Sequence, residues 1–438
     1  MNDLPQTLTG LQQALRRRQI SCREAIAAQR QRLSQLNQHY HCVVQTLSNE
    51  ATDPNSGVLS GVGLAHKDIF NTLDRRPGVG HDSGDFQRGL IPATAIARLQ
   101  RSGASQLAVV SMAEYACGAT GENDRFERCV NPLISQAVVG GSSSGSAVAV
   151  ASAMAYGSLG TDTAGSIRIP AATCALLGLK TTHGLISVDG VYPLAPSLDS
   201  VGILTRSAAD AAQLLEVAAD VELLRPIAKD PLRIKAWVPD IALHPAVAGA
   251  LEDFARECGV TDWVRQWPDF QVLTHLAEIV LHAEASSTHR AALLEGTSSL
   301  AVQAVALAGL VIPQEWHRAA LVDRVRHTTA FVQEHLSEHD VLILPALPQP
   351  VPDWSTVSSG SPDFDAKQLL ALHRYMGFVN YLGCPSVVIP IARDARGLPI
   401  SVQLVAKPFH ERTLLSFAGT VESRRFGAIG FTDHFSKG

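Results

Sequence analysis

Apolar residues recur at helical spacing through the first forty positions, with Leu8, Leu11 and Leu15 on one stretch and Ala25, Ala28, Leu33 and Leu36 on the next. Ser21, followed three residues on by Glu24, predicts a capped start for the second of these helices. The pattern then shortens. Val62–Ala65 is an apolar run ending at His66-Lys67-Asp68, which reads as a strand end. Thr94 predicts a cap for a helix running to Arg101 and closed by Gly103, ahead of the strand-like Gln106–Val110. Ala137–Val139 leads into a glycine-serine run and a small-residue helix over Ala147–Ala155, and a further amphipathic helix is predicted over Thr205–Ala219. From Leu232 to Leu344 charged amphipathic helices dominate, such as Glu252–Cys258 and Trp316–Leu336. Val341–Leu344 reads as a buried strand stopped by Pro345, Pro348 and Pro350, and Ser386–Ile389 with Ile400–Leu404 as a hairpin returning to the main sheet. Strands interleaved with helices predict a layered α/β fold, mostly one domain with a helical insertion.

Composition narrows the classes of function. The 438 residues are 46% hydrophobic and 18% charged, against a typical charged share of about 25%. A chain this long and apolar buries a sizeable core. Lys+Arg 36 against Asp+Glu 41 leaves a net charge of −5, which points away from nucleic acid and anionic membranes. The seven cysteines are scattered with no Cys-x-x-Cys pair, so neither a disulfide framework nor a zinc ribbon is indicated. Met1–Arg18 lacks a signal-peptide apolar core, and no run of about 20 apolar residues exists. The expectation is a soluble, cytoplasmic protein. The charge deficit is uneven: between Cys129 and Leu179 only Asp162 and Arg168 are charged. Chemistry is expected there.

That stretch holds two glycine-serine segments, Gly140-Gly-Ser-Ser-Ser-Gly-Ser146 and Gly160-Thr-Asp-Thr-Ala-Gly-Ser166, the second continuing through Ile167-Arg168-Ile169-Pro170. Flexible surface loops of this composition usually lie among charged residues, whereas these are embedded in Ala, Val, Ile and Leu. A glycine-bent backbone inside an apolar layer must satisfy its N–H groups. Those of Thr163, Ala164, Gly165 and Ser166 are candidates to converge on an anion, as an oxyanion hole does. A buried serine there is a candidate nucleophile and needs a base. No histidine lies between His81 and His183, and the first lysine of the chain is Lys67. Burial disfavours the charged form of a lysine and moves its pKa from about 10.4 toward neutrality.

Together, the two segments, Gly178-Leu-Lys-Thr181 and the upstream His66-Lys-Asp-Ile-Phe70 resemble the amidase signature family. The likeness runs on through the N-terminal helix pair, Glu122-Asn123 before Asn131-Pro132, and Gly397–Leu404. It implies a single large α/β domain over 1–438, with a mixed, twisted sheet covered by helices on both faces. The catalytic core falls at about 60–210, and a variable helical region at about 232–340 contributes to the substrate pocket. It also implies a Ser-cisSer-Lys unit: Ser166 as nucleophile, Ser142 after a cis peptide bond as bridge, and Lys67 as base. The implied reaction takes a carboxylic amide to acid plus ammonia or amine through an acyl-enzyme. It needs no cofactor or metal, and its partner is a small-molecule amide, with a homodimer left open. Met112, Tyr115, Cys117 and Ile169 are the expected substrate contacts, and apolar Ile169 leans against a charged acyl group. Two departures from the family pattern matter. Ser144 stands where a glycine is usual, which costs about a kcal/mol if that position needs φ > 0. Ala164 replaces the first glycine of the pair before the nucleophile.

Gly141–Gly145 also fits G-x-S-x-G, a nucleophile elbow with Ser143 attacking and His373 or His410 as partners. No HGGG-type motif precedes it, and it leaves the second segment unexplained. A glutamine-hydrolysing A-type subunit of a tRNA-dependent amidotransferase is the other alternative. Weaker marks read as structural. Arg168 is expected to pair with a carboxylate such as Asp199, Asp162 to orient its loop or cap a turn, and His66 to pack behind the site. Gln403 reads as a polar strand residue, and Cys129 and Cys174 as inert core thiols. The histidines form no metal spacing.

Overall fold

A computed structural model describes residues 4–47, 57–73, 75–81, 91–221, 232–239, 243–296 and 298–425. Parts of the expected 1–438 span, including both ends, therefore lie outside the described residues. Among the described residues, eleven strands form one sheet: β1 Val43–Thr46, β2 Gly63–Lys67, β3 Ser105–Val110, β4 Gly157–Asp162, β5 Leu177–Lys180, β6 Ser200–Thr205, β7 Ile234–Trp237, β8 Asp262–Val264, β9 Val341–Pro345, β10 Ser386–Arg393 and β11 Pro399–Val405. Their order is β1-β3-β2-β4-β6-β5-β10-β11-β9-β7-β8. The sheet is mixed: β2 is parallel to both β3 and β4, while β4, β6, β5, β10, β11 and β9 pair antiparallel in turn.

The central strands read as continuous apolar or small-residue runs because both faces are covered. Along β10, Val387 and Ile389 enter one core and Val388 the other, as the period of two requires. On the first face pack α1 (Leu8–Arg16), α3 (Thr94–Arg101), α6 (Ala208–Ala219), α7 (Pro245–Glu257) and α15 (Glu411–Arg425) through Leu11, Ile96, Leu214, Phe254 and Phe417. On the second lie α2 (Cys22–Tyr40), α4 (Ser144–Ala151) and α5 (Arg168–Thr173), through Ile26, Val148 and Ile169. Each fully buried Leu, Ile or Phe is worth about 1.5–3 kcal/mol relative to exposure. The 232–340 region adds α8 (Asp269–Thr288), α9 (Arg290–Glu295), α10 (Leu300–Ala308) and α11 (Gln314–Phe331), followed by one π turn. Three short helices precede the final hairpin: α12 (Trp354–Val357), α13 (Ala366–Ala371) and α14 (Gly377–Tyr381). Phe270 of α8, Phe331 of α11 and Phe378 of α14 share a third core with Leu342 and Leu344 of β9.

The predicted capping box of α2 is present: Ser21 Oγ accepts from Glu24 N, and the Glu24 carboxylate accepts from Ser21 N. Three boundaries shift. Thr94 is the first residue of α3, whose cap position is Ala93 with no side-chain bond. Thr205 ends β6, and Ser207 caps α6 by accepting from Asp210 N. The small-residue helix begins at Ser144, within the first glycine-serine segment, and ends at Ala151.

Candidate active site

The two parallel neighbours β2 and β4 end side by side, and Lys67 and Asp162 sit at those ends. His66 pairs in register with Leu159, so Lys67 and the Thr161-Asp162 end of β4 emerge at the same edge of the sheet. Lys67 is 1% exposed, with Nζ 2.8 Å from Ser142 Oγ and 2.9 Å from Thr161 Oγ1. Burial lowers its pKa to about 7, against the pull of Asp199, Asp162 and Cys117. The amine is therefore available as a base near neutral pH. The Gly141–Ser142 peptide bond is cis. A side chain on Gly141 would sit 2.5 Å from Gly121 N and 2.7 Å from Gly118 O, so only glycine allows this approach of the two loops.

Ser166 follows β4 in the turn that enters α5. Asp162 builds that turn: its carboxylate accepts from Gly165 N at 2.9 Å, Ile167 N at 3.2 Å and Arg168 N at 3.3 Å. Arg168, fully buried, donates Nη2 to Asp162 Oδ1 at 2.8 Å and Nε to Oδ2 at 3.0 Å. The guanidinium holds the Asp162 carboxyl well below the usual carboxylate range against the opposing effect of burial. Asn380 closes the network by donating Nδ2 to Asp162 O at 2.7 Å, and its Oδ1 accepts from Arg168 Nη2. Gly165 has φ +112°, a conformation that favours glycine, and an added Cβ would meet Met376 Cγ at 2.7 Å. Ser143 N donates to Ser166 O at 3.2 Å, tying the two glycine-serine segments together. Thr163 Oγ1 donates to Asp199 Oδ1 at 2.6 Å, which anchors the turn from its other side. Burial raises the Asp199 pKa to about 6.

A cavity of about 500 Å³ opens onto Thr163, Ala164 and Ser166. Ser166 and Ala164 are only half-buried, whereas Ser142 and Lys67 are fully enclosed. The far wall comes from α8 and α10, through Ala277, Leu281, Ala301 and Val305, and a third side from Val357, Leu369 and His373. The wall is mainly apolar. Among the described residues, no lysine or arginine lines it.

Lys67 meets Ser142 directly, and the Ser143 N–H bond to Ser166 O ties the Ser142 segment to Ser166. Ser144 and Ala164 both lie outside the positive-φ set, so neither departure strains the backbone. Several expectations are corrected. The Gly165 N–H is bonded to Asp162, which narrows the candidate oxyanion donors to Thr163, Ala164 and Ser166. Cys117 and Ile169 line the cavity, but Met112 and Tyr115 do not. Met112 is fully buried in the core, and the Tyr115 ring packs 4.7 Å from both His81 and His289. Arg168 pairs with Asp162 and not with Asp199, because Asp199 is turned toward Thr163 and the amides of Leu194 and Ala195. Gln403 is more than a strand polar residue: Oε1 accepts from Arg168 and Nε2 donates to Tyr375 O.

His66 packs behind the site, its pKa lowered by burial to about 3 and its Nδ1 accepting from Leu159 N. Burial raises Cys129 to about 11 and Cys174 to about 12, as inert core thiols require. The elbow reading fails on geometry. Ser143 is fully buried and donates to Thr161 O at 3.4 Å, and His410 is exposed. Thr161 and Asn380 went unassigned in the sequence. The signal for Asn380 was a lone amide within apolar Phe378–Leu382.

The family model named Amidase matches residues 24–415. The glutamyl-tRNA(Gln) amidotransferase A-type subunit of Geotalea daltonii is 27% identical over 95% of this chain and 96% of its own length. The protein of the same name from Oleidesulfovibrio alaskensis is 29% identical, covering 96% of this chain and 97% of its own. A crystal structure of an amidase superposes with a TM-score of 0.85 at 26% identity, over 95% of this chain and 99% of that one.

Proposed function

This chain belongs to the amidase family and is an amide-cleaving hydrolase, and we propose that it works by attack of Ser166, with Ser142 and Lys67 relaying the proton. The observation that carries this reading is the enclosed contact of 2.8 Å between Lys67 Nζ and Ser142 Oγ, in a segment whose Ser143 N–H is bonded to the half-buried Ser166. Neutral Lys67 accepts the Ser142 proton while Ser142 accepts that of Ser166. In this step Lys67 Nζ keeps its donation to Thr161 Oγ1 while its lone pair takes the Ser142 proton across the 2.8 Å contact. Ser166 Oγ bonds to the amide carbon, and the carbonyl electron pair moves onto oxygen, facing the N–H groups of Thr163, Ala164 and Ser166. Ser142 then protonates the leaving nitrogen and is replenished from the Lys67 ammonium as the C–N bond breaks. Water, deprotonated through the same relay, cleaves the acyl ester and restores Ser166.

Within this reading, residues of about 60–210 supply the chemistry and those of 232–340 supply much of the substrate pocket. Cys117 and Ile169 contact the acyl group. The preferred substrate is a small amide whose acyl part is apolar near the reacting carbon. The setting is cytoplasmic, and a homodimer is compatible with the assignment.

A glutamine-hydrolysing subunit is the second reading, favoured by the names of the full-length relatives. Free glutamine carries a carboxylate, and the described cavity wall offers it no lysine or arginine. Ammonia release across small aliphatic, aromatic and amino-acid amides, with Ser166→Ala as control, tests the proposal. Turnover of apolar amides that Ser166→Ala abolishes supports it. Equal activity of the two proteins contradicts it, and turnover of glutamine alone favours the second reading.

A further inference from the structure

The cavity wall is apolar except at a few positions, and the charges at those positions share one sign. Glu278 and His282 stand one turn apart on α8 and both reach the cavity, with Thr274 one turn before Glu278. His282 Nδ1 lies 2.7 Å from Val305 O, and since the carbonyl accepts, Nδ1 carries the proton and pins α8 to α10. Burial and the neighbouring His282 push His373 toward its neutral form. Glu122, the other carboxylate on the wall, is engaged: Oε1 accepts from Ser358 Oγ at 2.7 Å and Oε2 from Ser359 N at 3.2 Å. Glu278 has neither a hydrogen bond nor an ion pair among the described residues. It is exposed, and it lines the same cavity as the half-buried Ser166.

Resting on the amide-hydrolase reading of this site, we infer that Glu278 selects amides that carry a cationic amine at the far end of an otherwise apolar acyl chain. The methylenes of such a chain cross the Ile169, Ala277 and Leu281 surface, and the ammonium reaches Glu278, the carboxylate of the described cavity lining that Ser358 and Ser359 do not engage. A carboxylate at the same position meets Glu278 and no lysine or arginine of the described lining, so anionic amides are rejected by repulsion as well as by the lack of a partner.

The test uses matched aliphatic amides of about four to eight carbons, whose far ends are amino, methyl or carboxylate, and measures kcat/KM for each. In the wild type the amino compound of best length exceeds the methyl compound by about three- to fivefold, the range of a solvent-accessible ion pair. Glu278→Gln brings that ratio to about one, and Glu278→Lys makes the carboxylate compound the preferred one. Each ratio is taken within one preparation, so the folded fraction of a variant cancels. An unchanged ratio in Glu278→Gln overturns the inference, as does a wild-type preference for the carboxylate series. If none of the amides is cleaved, it is the catalytic reading that fails. Calorimetric binding of the same three series to Ser166→Ala then decides the inference: tighter binding of the amino series supports it, and equal or weaker binding overturns it.

Discussion

The two sides of the cavity are built on different terms. On one side, the ends of β2 and β4 and the 140–168 loops fix nearly every polar atom through buried partners distant in sequence. Arg168 alone reaches Asp162, Met376 O, Asn380 and Gln403. On the other side, α8 and α10 are held mainly by apolar packing, and apolar side chains remain on their outer surfaces: Val272 is 47% exposed and Leu307 46%. A network in which each group orients several others tolerates little change, because losing one partner strands the rest in a low-dielectric interior. A wall of side chains in van der Waals contact can change residue by residue. The contrast assigns the chemistry to the first side and the choice of substrate to the second.

The largest effect belongs to the first side. Ser166→Ala removes the nucleophile and lowers kcat by on the order of 10⁵-fold, as read by ammonia release at saturating substrate. Lys67→Ala follows with a loss of about 10³–10⁴-fold. The same residue sets the pH profile: with a pKa of about 7, wild-type kcat/KM falls about tenfold per unit below that value, as the amine takes up its proton, and levels above it. A profile flat from acid to neutral pH would remove Lys67 from the role of base.

Arg168→Met comes next and acts on stability. It leaves the Asp162 carboxylate buried without its cation and costs about 3–5 kcal/mol, measured by denaturant unfolding. The smallest effect belongs to the helical side. Ala277→Leu, on α8 at the cavity, raises KM for the bulkier amides by about tenfold while small amides lose less, because one added side chain in an apolar pocket discriminates by roughly 1–3 kcal/mol. A uniform collapse of kcat in that variant would erase the distinction between the two sides.

How much of this was legible in the sequence follows the same division. Lys67, Ser142 and Ser166 sit in segments whose composition departs from their surroundings, and the α2 cap and the final hairpin carry strong local signals. β4 was missed, because Gly157–Asp162 has neither alternation nor a run of branched residues and is a strand only through its neighbours β2 and β6. The partner of Arg168 was misassigned for a related reason. Asp162 and Asp199 are both buried near the turn, and only the folded path shows that Asp199 is spent on Thr163 and the 194–195 amides. Met112 and Tyr115 were expected at the pocket together with Cys117, as one loop. Positive φ at Tyr115 and Ala116 turns the loop so that the tyrosine packs between histidines and Cys117 reaches the wall. The α8 wall residues had no motif at all, since a cavity lining formed by packed helices leaves no local pattern.

Covalent labelling tests the central claim most directly. A fluorophosphonate reacts with an activated serine by displacement of fluoride, and peptide mass spectrometry then locates the adduct. The adduct is expected on Ser166, absent in Ser166→Ala and strongly slowed in Lys67→Ala. An adduct on Ser142 or Ser143, or labelling at the wild-type rate in Lys67→Ala, would contradict the assignment of Ser166 as a nucleophile activated through Lys67.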